Sequence, residues 1–445
     1  MPVLLSATLA EIEEAFAHEG GVQIEQSGLV GEETLTRFDC KIWFAVCVGD
    51  VLEGRYKVLG KVANGGSSTI WFVEDEATQD HMVLKISINY TSGDTREQDA
   101  FGRIAAVSPT TTHAGLRCLQ RPSRQFTIEG ESGSHQCFLM TPSACHVEEA
   151  WRVLGDFPLA LTQEVLQNAL LALDFLHSEC KLIHTDIKLD NILFGFANTN
   201  TIAGYVDELK KVDSTPKWHE GVDGTRYPVT KATPFVLTKD SFAHPQLNDL
   251  GESVIIPEDN NGFAPPRVCS PKAFRAPETL LGLPFNASID VWQIGCMTLQ
   301  LLTGSVPIKP HGPNQPWTET YTLAQHHALL GPPPKELIAK STKAREYWSE
   351  DGQWIHPDHA IPDISLDRML ATVKNNKRRK EALDFVKHCL QWLPEDRMPA
   401  KDLAMHPFLI KKKRELLQAA VKKITEKGIT RLRTIMERLG MKKEA

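Results

Sequence analysis

The stretch that most restricts the fold of this chain is LLALDFLHSECKLIHTDIKLDN, residues 170–191, where an apolar run ends in His184, Asp186, Lys188 and Asn191. Apolar residues recur at helical spacing through TQEVLQNALLALDFLHSE and cover nearly its whole circumference, so the helix predicted there needs neighbours all round. A second such helix, SIDVWQIGCMTLQLLTG, supplies one neighbour, with Ser288 as its expected N-cap and Gly304 as its stop. Polar groups on the end of a buried segment are costly unless each finds a partner. A solvated turn would satisfy them one by one, whereas a functional loop on a rigid scaffold would satisfy them together.

The chain ahead of this region has another texture. YKVLGKV, STIWFVED, HMVLKIS, RQFTIEG and SHQCFLMTP read as strands separated by polar or glycine turns, and TREQDAFGRIAAV reads as a helix. Residues 50–142 therefore predict a small antiparallel sheet with one helix. Residues 143–410 predict a mainly helical unit, in which RKEALDFVKHCLQWL and AKDLAMHPFLIKKKRELLQAAVKKI are further helices. Residues 197–246 are polar, carry turn formers and show no sustained period, which reads as a surface insertion. Residues 1–49 form an extension with a short helix at 8–18, where Thr8 and Glu11 make a capping box.

Composition narrows the class. A chain of 445 residues exceeds one core, and 42% hydrophobic with 24% charged residues excludes a disordered chain. Nine scattered cysteines without a CxxC pair predict free thiols in a reducing compartment and no metal site. The N-terminus has no basic residue before its apolar patch and makes a poor targeting peptide. The apolar run Ile42–Val48 is too short to span a membrane. The net charge of −7 is uneven: −7 over residues 1–50 and +8 over 411–445, a predicted basic helix. Solvated helix faces account for both ends, so neither a nucleic-acid nor a membrane partner is expected.

Chemistry-bearing motifs then follow in order. VANGGSSTIW lies between two predicted strands. Laid on G-x-G-x-x-G-x-V it puts Ala63, Gly65, Ser68 and Ile70 at the marked positions, flanked by Val62, Asn64, Gly66, Ser67 and Thr69. Small residues there let backbone N–H groups approach phosphate oxygens. MVLK sets Lys85 two residues after Val83 on a strand, and Glu97 follows twelve residues later on a helix. HTDIKLDN comes next, then Asp249-Leu250-Gly251, then Ala276-Pro277-Glu278, with Glu278 29 residues after Asp249. Asp290 heads the second buried helix, and Arg397 sits in LPEDRMPAKDLAMHPFL. Each alone has an ordinary reading as a turn, an exposed strand lysine or a helix cap. All of them in order, each on the expected element, do not.

Order and wording resemble the eukaryotic protein kinase superfamily over about residues 50–410, and more closely the SR-protein kinases of the CMGC group. VGDVLEGRYKVLGKVANGGSSTIWFVED, the HTDIK loop with Thr185 in place of Arg, the 57 residues between Asn191 and Asp249, and LAQHHALLGPPPKELI carry the likeness. The resemblance implies an α+β, bilobal protein kinase fold, with a small antiparallel β lobe and a larger helical lobe containing a CMGC insert at 305–365. It implies an ATP-dependent serine/threonine kinase using Mg²⁺. Asp186 would orient the substrate hydroxyl, Lys188 would steady the transferring phosphate, and Lys85, paired with Glu97, would anchor phosphates. Asn191 and Asp249 would hold the metal. Glu278, Asp290 and Arg397 would be structural. ATP would also meet Met140, Thr141, Ser143 and Leu193.

Substrates would be proteins, with Arg/Ser-rich splicing factors as the family precedent, acted on by a monomer in the cytoplasm or nucleus. Departures are Ala63 and Ser67 in the glycine loop, and Tyr321 and Ala328 at positions where the family carries docking acids; Glu319, Glu336, Glu350 and Asp351 lie nearby. Two rival readings are a kinase-shaped interaction module, favoured by the eroded glycine loop, and a CMGC kinase of other specificity.

Overall fold

Strand and helix periodicities divide the chain where the texture changes. In a computed structural model, the described residues are 31–410 apart from 36–37, 90–94, 155–156, 213–214, 216, 221–223, 225, 234, 236–241, 259–260, 268 and 310–316. The expected helices at 8–18 and 411–445 lie outside them.

The first part is a six-stranded antiparallel sheet in the order β1-β2-β3-β4-β6-β5. Its strands are β1 (Val51–Leu52), β2 (Tyr56–Asn64), β3 (Ser68–Asp75), β4 (His81–Ser87), β5 (Pro122–Gly130) and β6 (Gly133–Met140), with helix α1 (Arg96–Val107) between β4 and β5. Because side chains alternate across a strand, one face gathers Tyr56, Val58, Trp71, Val73, Leu84 and Ile86 into an outer core under Val46. The other face turns Ile70, Phe72, Val83 and Lys85 toward the helical part, with Lys85 opposite Ile70 and Val83 opposite Phe72.

The helical part is built around α3 (Leu159–Phe175), α5 (Ser288–Thr303) and α7 (Asn376–Cys389), with α2 (Val147–Leu154) and α6 (Glu319–Leu330) at its sides. Gly304 stops α5 in a left-handed conformation at φ 76°, as its place in the sequence predicts. Ser288 is the first helical residue and not the N-cap: Ala287 occupies that position, and Asn286 Oδ1 accepts from the Ser288 N–H at 2.9 Å. The segment AKDLAMHPFLI is helical only over Ala400–Leu403, because Pro407 cannot continue the ladder. No helix among the described residues is long and apolar enough to cross a membrane.

The insertion departs from the expectation of a periodless surface segment. It forms α4 (Thr199–Leu209), a hairpin of β10 (Lys217–Glu220) and β11 (Arg226–Val229), and β12 (Phe242–Leu247), which pairs with β9 (Ile192–Phe196). Asn198 caps α4 by accepting from the Thr201 N–H at 3.0 Å. Tyr205, Val206 and Leu209 fall on one face at helical spacing and are buried against the sheet. Three apolar residues among many polar ones do not stand out as a period, yet they suffice to dock a short helix.

Candidate active site

The polar cluster at 184–191 follows β8 (Leu182–Ile183), and its backbone is held from α5. Asp290 Oδ1 accepts from the Thr185 N–H at 2.7 Å, and its Oδ2 accepts from the His184 N–H at 2.8 Å, with His177 Nε2 also 2.8 Å away. Gln293, one helical turn on, accepts from the Ile187 N–H at 2.8 Å and donates to the Thr185 carbonyl at 2.6 Å. Asp290 and Gln293 are fully buried, so the loop's orphan amides are satisfied inside the protein. Sequence reading found Asp290 but missed Gln293 and His177. The signal for Gln293 was its place three residues after Asp290 on the same helix face.

Thr185 adopts φ 71°, a strained region for a β-branched residue, costing on the order of 1–3 kcal/mol. It is held there from both sides of the later segment: its hydroxyl donates to the Glu252 carbonyl and its own carbonyl accepts from the Ser270 hydroxyl, each at 2.8 Å. The loop is thereby tied to the residues after Asp249 without a charged group at position 185.

Asp186 is the hub of the loop. Its carboxylate lies 2.9 Å from Lys188 Nζ and accepts from Asn191 Nδ2 at 2.8 Å. Asn191 also donates to the Asp186 carbonyl, which leaves the amide oxygen as the remaining ligand atom of that side chain. Burial pushes the Lys188 ammonium pKa down, but Asp186, Asp190 and Asp249 outweigh it and hold it above the ordinary lysine value.

On the sheet side, Lys85 Nζ donates to both oxygens of Glu97, at 2.6 and 2.8 Å, and lies 3.9 Å from Asp249. Asp249 itself is left-handed, at φ 65°. Burial works against its carboxylate, yet Lys85, the Gly251 N–H, His184 and Lys188 hold its pKa below the ordinary carboxylate value. Ser67, Lys85, Glu97, Phe138 and Asp249 line a cavity of about 150 Å³. Farther off, Arg397 makes a fully buried two-point pair with Glu278, at 2.6 and 2.7 Å, joining the end of the later segment to the helical part.

The residues expected around a nucleotide are placed unevenly. Gly65, Gly66 and Ser67 are exposed in the β2–β3 turn, closed by the Gly65 N–H donating to the Ser68 carbonyl at 2.9 Å; at the end of β2, Ala63 is exposed and Asn64 half-buried. Thr69 faces the outer core, where its hydroxyl accepts from Trp71 Nε1 at 2.9 Å, so strand alternation turns its side chain away from the cleft. Met140 is buried opposite Val83, Thr141 is exposed, and Ser143 and Leu193 are half-buried on β7 (Ser143–His146) and β9. Val62, Ile70 and Val83 face the cleft but share their apolar cluster with Tyr205, Val206 and Leu209 of the insertion.

Comparison with known proteins agrees with this geometry. The family model described as "Protein kinase domain" matches residues 235–409. A serine/threonine protein kinase of Aspergillus fumigatus is 31% identical over 386 residues, covering 86% of this chain and 91% of the relative. The serine/threonine-protein kinase SRPK of Physarum polycephalum is 25% identical over 386 residues, covering 82% and 88%. The dual specificity protein kinase CLK1 of Homo sapiens is 23% identical over 378 residues, covering 82% and 68%. The chain belongs to the protein serine/threonine kinases and is related, at modest identity, to their SRPK- and CLK-type members.

Proposed function

We propose that this kinase transfers the γ-phosphate of ATP to serine in basic, Arg/Ser-rich protein segments. The observation that carries the transfer chemistry is the convergence of two ion-paired clusters, Asp186 with Lys188 and Asn191 from one loop and Lys85 with Glu97 and Asp249 from other elements, with the charges of Lys188 and Asp249 acting on each other across them. Asn191 and Asp249 offer hard oxygen ligands that suit Mg²⁺, which when bound supplies charge neutralisation at the phosphates. Lys85, held by Glu97, supports the phosphates of ATP. Asp186 accepts a hydrogen bond from the incoming serine hydroxyl and takes its proton. The serine oxygen forms the new bond to phosphorus, the bond to the bridging oxygen breaks, and ADP leaves. Lys188, already on Asp186, balances the negative charge that gathers on the transferring group.

The substrate class rests on the likeness to SR-protein kinases. Tyr321 and Ala328 bring no charge to α6, Glu319 is engaged by Lys343 at 2.5 Å and Asp351 by Lys335 at 3.2 Å. Long basic tracts therefore find no charge at the two docking positions and meet only the exposed Glu336 and Glu350 nearby, and phosphorylation proceeds site by site rather than processively. A peptide array read with ATP and Mg²⁺ tests this: Arg/Ser repeats are expected to be phosphorylated well above acidic-flanked serines. Equal labelling of both sets would sink the substrate class while leaving the transfer chemistry intact.

A further inference from the structure

Lys85 and Val83 are two residues apart on β4 and face the same way; Ile70 and Phe72 stand opposite them on β3. On the proposed reading, phosphates lie at Lys85, and α1 with Glu97 closes one direction. The base must then extend along the wall formed by Ile70, Val83, Phe72 and Val62. That wall is occupied by the chain itself. Leu209 reaches so near β2 that a Cβ on Gly60 would sit 2.8 Å from its Cδ2 and the leucine tip would have to give way. The Tyr205 ring meets Phe72 edge-on at 5.1 Å, and Phe235 packs on Tyr205 at 5.6 Å and on Phe196 at 4.9 Å. Two hydrogen bonds fasten the seat: the Tyr205 hydroxyl donates to the Thr233 carbonyl at 2.6 Å, and the Thr233 N–H donates to the Lys61 carbonyl at 2.9 Å.

We propose that this insertion is an intramolecular gate on the nucleotide cleft: α4 seats Tyr205, Val206 and Leu209 on the wall where the adenine base would lie, and must lift before ATP enters. The inference rests on the assignment of ATP to this cleft. The seat suits a reversible contact. An eleven-residue helix is marginal in water and owes its order to the surface it docks on. The docking face is a single stripe, while Asp207 and Glu208 beside it are solvent-exposed. The cavity at Lys85 and Asp249 is open meanwhile, so the gate covers the base subsite and spares the phosphate subsite. ATP then binds only the lifted form, and its apparent affinity falls by the fraction of molecules in that form.

Two variants of the full chain test the gate from opposite sides. Leu209→Asp puts a charge into the apolar seat and should lower both the KM for ATP and the Kd of a fluorescent ATP analogue with Mg²⁺, by about tenfold or more, with kcat within twofold of wild type. The pair Gly60→Cys/Leu209→Cys, oxidised to a disulfide, should raise both constants by a similar factor, and dithiothreitol should reverse the change; wild type given the same oxidant is the control. If Leu209→Asp fails to fold, judged by circular dichroism, the disulfide pair carries the test. Unchanged nucleotide affinity in the folded variants would overturn the gate and leave ATP assigned to the cleft. If wild type, Leu209→Asp and the reduced pair all fail to bind the analogue or to transfer phosphate, the assignment of ATP falls, and the gate with it.

Discussion

At one end of the cleft, Lys85 pairs with Glu97 and Asp249, Asp186 pairs with Lys188 and Asn191, and an open cavity reaches Lys85, Glu97 and Asp249. At the other end, Val62, Ile70, Phe72 and Val83 are in apolar contact with a helix contributed from over a hundred residues downstream. The first end is preorganised: its charges are paired before any substrate arrives, so little reorganisation remains for the reaction. The second is covered, and its cover is held by dispersion and burial, which are non-directional and can be exchanged for a flat aromatic ligand of similar area. On the proposed reading, one site would separate readiness for chemistry from access to substrate. A pocket of paired charges cannot be plugged by apolar side chains without leaving buried ions exposed to a low dielectric, so an internal plug belongs on the apolar end.

The largest test of this contrast is at the polar end. Asp186→Asn should lower kcat by about 10²–10⁴-fold while leaving the thermal melt and the exchange protection of α4 as in wild type. Lys85→Ala should be comparably damaging, because the phosphate anchor is lost and Glu97 is left without its ammonium. Near-normal transfer by Asp186→Asn would show that the ready end is not the reacting end.

Stability should respond next. Glu278→Ala or Arg397→Ala leaves one buried charge bare and should cost on the order of 3–5 kcal/mol in urea unfolding, whereas Glu278→Leu/Arg397→Met should recover most of it. A matching pair, Lys61 with Glu32, lies beneath the insertion, and the Tyr227 hydroxyl of the β10–β11 hairpin also donates to Glu32 at 2.8 Å. Lys61→Met should therefore be the milder lesion, since Glu32 keeps one donor. Equal losses at both places would mean the insertion contributes nothing to holding Glu32.

A smaller effect is expected from Glu148 on α2. Burial, then the neighbouring Asp190 carboxylate, raise its pKa from 4.5 to about 7. The folded protein thus holds a proton that the unfolded chain releases between those values, and this contribution to stability is present at low pH and lost as pH rises toward 7. Glu148→Gln should stabilise the protein relative to wild type at pH 8 and have less effect at pH 5. Parallel pH profiles of wild type and variant would refute the raised pKa of Glu148.

The smallest expected effect is none. Ser253 is buried, and the Ser270 hydroxyl is already donated to the Thr185 carbonyl, so both hydroxyls are accommodated by the fold without a phosphate. Phosphatase treatment and Ser253→Ala should leave kcat near that of the untreated protein. Loss of activity on phosphatase treatment, restored by rephosphorylation, would point to Lys272 and Arg275, which stack on Trp317 at 5.4 and 5.0 Å, as the phosphate-reading pair.

What could be read from residues alone were the parts whose chemistry is local or strictly spaced. Strands β2, β3 and β4 follow alternation, α5 ends at a glycine, and Lys85, Asp186, Asn191 and Asp249 belong to motifs in which side-chain type and interval carry the information. Glu278 and Arg397 pair across 119 residues, yet each sits in a motif of its own and could be matched by resemblance. The course of the insertion was decided only in three dimensions. Tyr205, Val206 and Leu209 make too short a stripe to announce a partner, and what they dock on includes a bare Gly60 backbone and the opposite-strand pair Phe72 and Val83, brought together by sheet register. Thr69 shows the same limit in reverse: its place in the glycine-loop motif suggested a cleft residue, and strand alternation turned it outward to Trp71. Sequence determines which residues can pair or alternate, because those rules act over a few positions. Which surfaces end up covered depends on how distant elements close over one another, and no local interval encodes that.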